Sequence, residues 1–567
     1  MEVAANKATY TQDENLYLKH EKLATSSLDF TRKIYKQELE YLIDKIRTDF
    51  MTMDESQRAN YMVAMSELVN DIYNFAEIDR KHKDTDGMVY NATLLNKSVL
   101  LSFSRSLGTA IKAMNDPQLT AKLDELNAKR KEYVRLEQEG DFTSSTEIRK
   151  EAGEIERTLQ KAISATDPGA FVATTWKDVK RGLGKNDAAI EFYTFTENTV
   201  GGSKLRERMV AIAANKDPKV YHITYKPGVE VKYSEPLQRN ALYYSLWEPL
   251  EKDKVIKTGG SVYFAPAGRW NSVPLEYLPT GKEGMNDRYK MVRVSTTRHR
   301  PAVTVAPMTT PVLFGGLNYN LGIADMKDIR TEIAESGMRG ANGIGVWNNL
   351  PGTEKEVNDI ASILADCSAN CALVTGDEGI EESFKALSGG NYGIVHIATH
   401  GYYNPSDNDH PLRSQSSKMD EAMDNSGLVF SGANQYLAGI KSSDGLDNGL
   451  LTAREIALMD LSSTDLVVMS ACETGAGQAT AEGVMGLQRG FKLAGANTLV
   501  MSLWKVNDQA TAAMMSAFYR HLAAGKDKRT AFYEARAELR KGTYKDAEGK
   551  TVSGTDPLIG DAFVIMD

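Results

Sequence analysis

The sequence predicts an α/β protein: a mostly parallel sheet flanked by helices, preceded by an all-α module. Three observations carry this expectation. Up to about residue 165 apolar residues recur at helical spacing among long charged stretches, with few Gly or Pro. From residue 311 onward, short apolar runs of strand length alternate with helical patterns, as parallel strands with crossover helices require. Two of those runs stop abruptly in small residues, at His400-Gly401 and at Ala471-Cys472. Loops converge at such strand ends on the carboxyl edge of an open sheet, where chemistry is placed.

Composition narrows the class. A chain of 567 residues exceeds one ordinary core, so two or three domains are expected, with boundaries at 1–165, 166–310 and 311–567. Hydrophobic content of 42% and charged content of 25% are those of a globular protein. A net charge of −9, without a Lys/Arg block, does not indicate nucleic-acid binding. Three cysteines leave no disulfide framework and fit a reducing compartment. The polar start at Met1, and the lack of any run of about eighteen apolar residues, give no leader and no membrane span. The expected location is the cytoplasm.

Helical patterns are expected over 27–46, 56–76, 91–114, 117–139 and from about 144 to 163, ending before the turn signal Asp167-Pro168-Gly169. No 34-residue repeat emerges, so a bundle and a stack of helix pairs both stand. The module is read equally as a structural cap and as a partner-binding surface. In 166–310, strands are expected at 188–195, 208–213, 220–225 and 261–265, with helices at 175–183 and 237–250. No Cys occurs before Cys367, and neither His222 nor His299 is followed by Gly.

The third segment carries the candidate chemistry. A strand at 311–316 is followed by Thr353-Glu354-Lys355-Glu356, which has the form of a capping box, and by the apolar stripe Val357, Ile360, Ile363 and Leu364. Further strands are expected at 372–375, 393–399, 466–469 and 497–503, with a second capping box at Thr452-Glu455 and a helix from Glu482. Residues 562–565 read as an added edge strand, and 427–430 with 435–437 as a small hairpin. A thiol at Cys472 and an imidazole at His400, 72 residues apart, form a nucleophile and base that meet only if their strands adjoin. His396 reads as a core residue. Cys367 and Cys371 lack a second Cys/His pair at zinc spacing. Gly475-Ala-Gly477 departs from a dinucleotide fingerprint at Thr480. No metal or cofactor is expected.

His400-Gly401, Ser470-Ala-Cys472-Glu-Thr-Gly475 and Ser502-Leu-Trp504-Lys-Val-Asn-Asp508 together resemble a CHAT domain, the caspase- and separase-like cysteine peptidase domain often found behind tetratricopeptide-type helices. Asn271-Ser-Val-Pro274-Leu275-Glu276-Tyr277-Leu278 and residues 90–101 resemble further parts of that pattern. The resemblance implies a caspase-like fold with a catalytic half and a non-catalytic half. It implies catalysis by a His400–Cys472 dyad, an oxyanion hole of the Gly401 and Cys472 amides, and cleavage of a specific protein partner. It also implies that Asp508, with Ser470, lines an S1 pocket for Arg or Lys. Asp508 also reads as the N-cap of a helix from Gln509, and both roles are compatible. Family association extends to bacterial defence and cell-death systems, a gasdermin-like substrate and an activator acting through the helices. The rival expectation is a non-catalytic scaffold that binds partners through those helices. The polar segment 404–448, with Arg413, Lys418 and Lys441, is expected to gate the cleft and to be open to self-cleavage.

Overall fold

The computed structural model describes all residues except 1–13, 50–52, 54, 81, 98–106, 109, 139, 167–173, 200–201, 227–228, 282, 299–303, 305, 308, 323–346, 367–369, 404–421, 438–446, 472–477, 481–482 and 547–548. Its spine is an eleven-stranded sheet. In chain order the strands are β1 Ala188–Thr199, β2 Gly202–Ala213, β3 Lys216–His222, β4 Ser261–Ala265, β5 Lys290–Arg293, β6 Val312–Leu317, β7 Ala372–Gly376, β8 Ile394–Ile397, β9 Leu466–Met469, β10 Thr498–Ser502 and β11 Phe563–Met566. The order across the sheet is β3-β2-β1-β4-β5-β11-β10-β9-β8-β6-β7. Neighbours run parallel except at β3-β2, β2-β1 and β11-β10.

The short apolar runs became strands because both faces are covered. Every residue of β8, β9, β10 and β11 is buried, so these strands lack the polar alternation of a half-exposed sheet. The strand 563–566 accordingly does not lie at an edge. It is inserted between β5 and β10, where Met566 pairs with Arg293 and Phe563 with Ser502. Four consecutive buried apolar residues belong in a sheet interior, and this one joins the first-half strands to the second-half strands in one continuous sheet.

Helices α1 Glu14–Asp49, α2 Glu55–Ile78 and α3 Lys83–Asn96 form the first part of the helical region, with α4 Pro117–Gln138 and α5 Phe142–Thr166 as an antiparallel hairpin. Residues of α1 to α3, among them Leu39, Ile72, Tyr73 and Val89, share a core with Tyr193, Val210 and Ile212 of β1 and β2. The α4–α5 hairpin has its own small core, with Leu126 and Leu159 fully buried, and Leu458 of the other end of the chain packs against it. The helical region thus packs on β1 and β2 through α1 to α3, and on Leu458 through the α4–α5 hairpin. Among the described helices none is long and apolar enough to cross a membrane.

Other expectations shift locally. The pattern 237–250 breaks at Trp247 into Pro236–Leu246 and Glu248–Lys252, where Pro249 offers no amide to continue the first helix. Residues 433–437 are helical, and Ser426–Val429 pairs instead with Gly401–Tyr403 and Leu450–Thr452 in a separate three-stranded sheet. The helix expected from Glu482 starts at Leu487, because Gly483–Met485 pairs with Gln478–Thr480. Leu487, Phe491 and Ala494 are buried from it as the spacing indicated.

One buried ion pair fastens α3 to the sheet. Lys97 Nζ donates to Glu191 Oε2 at 2.9 Å and to the carbonyls of Ala265 at 2.7 Å and Pro266 at 3.1 Å. Its three protons therefore have three acceptors. Glu191 Oε1 accepts from the Thr297 amide at 2.6 Å and hydroxyl at 2.8 Å. Burial pushes the Lys97 ammonium pKa down, against the pull of Glu191. Lys97→Met would leave a buried carboxylate without its cation, which costs about 3–5 kcal/mol. Urea unfolding should show that loss, and a change below about 1 kcal/mol would contradict the bridge's place in the fold.

Candidate active site at two adjoining strand ends

The parallel pairing of β8 and β9 builds the site. Ile394 pairs with Leu466, Val395 with Val467, His396 with Val468 and Ile397 with Met469. The ladder ends with the Ser470 amide donating to the Ile397 carbonyl at 2.9 Å. His400 stands three residues after Ile397 in the sequence, and Cys472 three residues after Met469. Cys472 itself lies outside the described residues, as does the Glu473-Thr474-Gly475 that follows it. Ala471, the residue before it, is buried, and its carbonyl accepts from the Ser502 hydroxyl at 2.5 Å.

His400 is held on three sides. Its ring centroid lies 5.1 Å from that of Tyr319 and 5.1 Å from that of Trp347. The two rings tilt against it by 50° and 39°. Nε2 is 2.7 Å from the carbonyl oxygen of Asn348. A carbonyl only accepts, so that contact commits Nε2 as a donor and leaves the lone pair of neutral imidazole on Nδ1. The Tyr319 hydroxyl donates to Thr399 Oγ1 at 2.9 Å, one residue before the histidine, because the Thr399 proton goes to the Val429 carbonyl. Backbone direction after the strand is fixed too. The His400 carbonyl accepts from the Val429 amide at 3.0 Å, and Gly401 pairs with Leu428.

Asp508 belongs to the same neighbourhood. Burial lowers the His400 pKa below its ordinary value, while the Asn348 carbonyl and the Asp508 charge raise it and Lys505 lowers it. The helix α7 Asp508–Ala523 is capped by Asn507, whose side chain accepts from the Ala510 amide at 2.8 Å. Asp508 is thus not the N-cap but the first helical residue. It is exposed, although a pocket for a guanidinium would half-bury the carboxylate. A Cβ built on Gly352, in the first turn of α6 Pro351–Asp366, would stand 3.4 Å from Asp508 Cβ. Two helix N-termini therefore favour the negative charge at this point. Trp504 anchors the segment before it by donating its indole N–H to the Leu558 carbonyl at 2.9 Å and packing on Tyr233 at 5.7 Å. Ser470 is 5% exposed, and its hydroxyl finds no hydrogen-bond partner among the described residues.

The Thr353–Glu356 capping box does not form. Thr353 Oγ1 accepts from the Gly316 amide at 2.9 Å and donates to the Leu350 carbonyl at 2.7 Å. Glu356 turns inward and places Oε1 3.0 Å from Nε2 of the fully buried His396. That contact holds Nε2 of His396 in the core, while its Nδ1 has no hydrogen-bond partner among the described residues. Thr452 and Glu455 do form their reciprocal cap, with both bonds present.

Among the described residues one carboxylate group has metal-like spacing, Glu381, Asp447 and Glu455, with oxygens within 4.8 Å of one another. The ammonium of Lys385 already stands among them, at 2.7, 3.1 and 2.9 Å. The protein's own cation fills this cluster, and burial raises the Glu381 carboxyl to about 8 and the Asp447 carboxyl well above the usual carboxylate range. Tyr319, Trp347 and Asn348 were not legible beforehand, since no local pattern ties them to a histidine more than fifty residues away. The loop residues Arg413, Lys418 and Lys441, together with Cys367, His299 and His410, lie outside the described residues.

Comparison with known proteins follows the same segment. A family model described as CHAT domain matches residues 238–552, more than half of the chain. Tetratricopeptide repeat protein 28 of Mus musculus is 23% identical over 400 residues, covering 67% of this chain and 15% of that protein. The Homo sapiens protein of the same name is 22% identical over 413 residues, covering 69% and 15%. The matched region is thus a small part of those relatives' length. Among solved structures, the Arg-specific cysteine proteinase gingipain R is similar at a TM-score of 0.33 and 8% identity, over 58% of this chain and 66% of that one. The Saccharomyces cerevisiae separase–securin complex is similar at 0.36 and 9%, over 88% and 37%.

The electrostatics give a direct expectation. In Cys472→Ala, which carries no thiol at that position, the His400 imidazole followed by NMR should titrate below the ordinary 6.5, because burial disfavours the imidazolium. Asp508→Asn removes a charge that stabilises the imidazolium, so the midpoint should fall further. A His400 midpoint at or above 6.5, or one that ignores Asp508, would contradict the geometry.

Proposed function

The chain belongs to the CHAT-domain family, and on that premise we propose that it is a cysteine endopeptidase that cleaves a dedicated protein partner after Arg or Lys. One observation carries the reading. His400, its Nε2 committed to the Asn348 carbonyl, follows by three residues a strand whose parallel neighbour runs in matched register toward Cys472.

In this mechanism Nδ1 of His400 takes the proton of the Cys472 thiol, and the thiolate attacks the scissile carbonyl carbon. The carbonyl π electrons move onto oxygen, and the amides of Gly401 and Cys472 donate to that oxyanion. The small side chains of Gly401 and Ala471 leave the approach open. Collapse of the intermediate breaks the C–N bond, and the imidazolium returns its proton to the leaving amine. Water then adds to the thioester with His400 as base, releasing the acid and restoring the thiol.

Asp508 would receive the P1 guanidinium or ammonium, its charge supported by the two helix N-termini beside it. Ser470 would offer its unpartnered hydroxyl to the same pocket. An activator acting through the helical region, a gasdermin-like substrate and a role in bacterial defence or cell death belong to this proposal. So does cytoplasmic location.

Aminomethylcoumarin peptides ending in Arg or Lys test the reading. Turnover is expected for the intact protein and should vanish in Cys472→Ala and His400→Ala. Asp508→Ala should lower kcat/KM for Arg substrates by about 10–100-fold, the worth of a charge-assisted hydrogen bond. Activity that survives Cys472→Ala would overturn the mechanism. Failure of any basic or mixed-library peptide to be cut would leave the scaffold reading in its place.

A further inference from the structure

One amide side chain that the peptidase chemistry does not itself use ties together the surroundings of His400. Asn434 sits half-buried in the short helix Ala433–Leu437 and faces the backbone of Trp347. Its Oδ1 accepts from the Trp347 amide at 2.7 Å, and its Nδ2 donates to the Trp347 carbonyl at 2.8 Å. Only one orientation of a carboxamide satisfies both contacts, so the assignment of O and N follows from the geometry. Nδ2 also donates to Asn320 Oδ1 at 2.9 Å, and the Asn434 backbone amide donates to the Tyr319 carbonyl at 2.9 Å. Gln435 adds a bond from Nε2 to the Asn320 carbonyl at 3.3 Å.

The two residues so gathered, Tyr319 and Trp347, are the ones whose rings flank His400. The residue after Trp347 supplies the carbonyl to Nε2. Asn348 and Asn349 are themselves exposed and Trp347 is only half-buried, so burial alone does not fix this stretch. The clamp on the Trp347 backbone acts one peptide away from the acceptor that sets the imidazole tautomer.

We propose that Asn434 is a positioning residue for the reaction: by clamping Trp347 it holds the Asn348 carbonyl on His400 Nε2 and keeps Nδ1 available as the base. This rests on the peptidase reading above. A neutral imidazole carries one N–H, and a drifting Asn348 carbonyl releases the proton to either nitrogen, so the base is present in only part of the population. A misplacement of about 1 Å in such a site lowers turnover by roughly 100-fold.

The test uses Asn434→Ala, with Asn434→Asp as a second variant that keeps the acceptor for the Trp347 amide and loses the donor. In 15N-histidine NMR of Cys472→Ala, His400 should show the Nε2–H tautomer. Adding Asn434→Ala should shift it toward a tautomer mixture and lower its titration midpoint, because the Asn348 carbonyl raises it while Asp508 and Lys505, the charges that face the ring, stay in place. On Arg peptides, kcat should fall about 10–100-fold with KM within about twofold, and Asn434→Asp should fall between Asn434→Ala and the unaltered protein. An unchanged Nε2–H signal with kcat within about twofold in either folded variant would overturn the proposal. Because the NMR arm needs no turnover, loss of the peptidase reading alone leaves a distinct pattern: no cleavage, with the tautomer still dependent on Asn434.

Discussion

The parallel pairing of Ile394–Ile397 with Leu466–Met469 is the constraint on which the functional reading depends. Parallel strands in register finish level, and the same count of residues then separates each from its reactive group. A slip of one residue would turn every side chain of one strand to the opposite face and remove that match. Register is secured because both strands are buried on both faces, flanked by β10 on one side and β6 on the other. The chemistry is thus borrowed from core packing. Val395, Val467 and Val468, all fully buried, fix the strands from which His400 and Cys472 each follow by three residues.

Around that edge the structure is fastened by polar links between distant segments. Lys97 joins the end of α3 to Glu191 of β1. Glu137 of α4 accepts from Arg149 of α5 at 2.7 Å and from Arg454 at 2.5 Å, and Arg454 also reaches Asp424 at 3.0 Å. These bonds lead from the helical hairpin to the helix Ala453–Ala457 and to the residues just before Ser426–Val429, the strand that pairs with Gly401. Burial and three carboxylates around Lys385 hold the turn at Asp447 to the same helix. The Arg149 and Arg454 ion pairs therefore tie the α4–α5 hairpin to the helix Ala453–Ala457 and to Asp424.

Much of this was legible in the sequence because it is encoded locally. Short apolar runs marked β8, β9 and β10, the first two ending in small residues, and Thr452-Ala-Arg-Glu455 marked its helix start. The features that escaped are those set by distant partners. Thr353-Glu354-Lys355-Glu356 has the capping pattern, yet a buried imidazole forty residues on claims the Glu356 carboxylate. Residues 563–566 look like any terminal apolar run, and only the gap between β5 and β10 makes them central. Asp508 carries the motif, but the neighbouring Asn507 takes the cap because its side chain reaches the Ala510 amide. Nothing near Asn434 or Trp347 announces a link to His400, since the link exists only after the sheet has formed.

The central claim is that His400 and Cys472 act on one another. Alkylation of Cys472 by iodoacetamide, followed by mass spectrometry between pH 6 and 7, tests it most directly, with Cys371 of the same chain as reference. A thiol with the ordinary pKa near 8.5 is only about 1% thiolate at pH 6.5, whereas a histidine-paired thiol is largely ionised there. Burial raises the Cys371 thiol above its ordinary value, so the deciding comparison is within Cys472: the account predicts that it reacts at least about tenfold faster in the intact protein than in His400→Ala. Equal rates at Cys472 with and without the imidazole would contradict it.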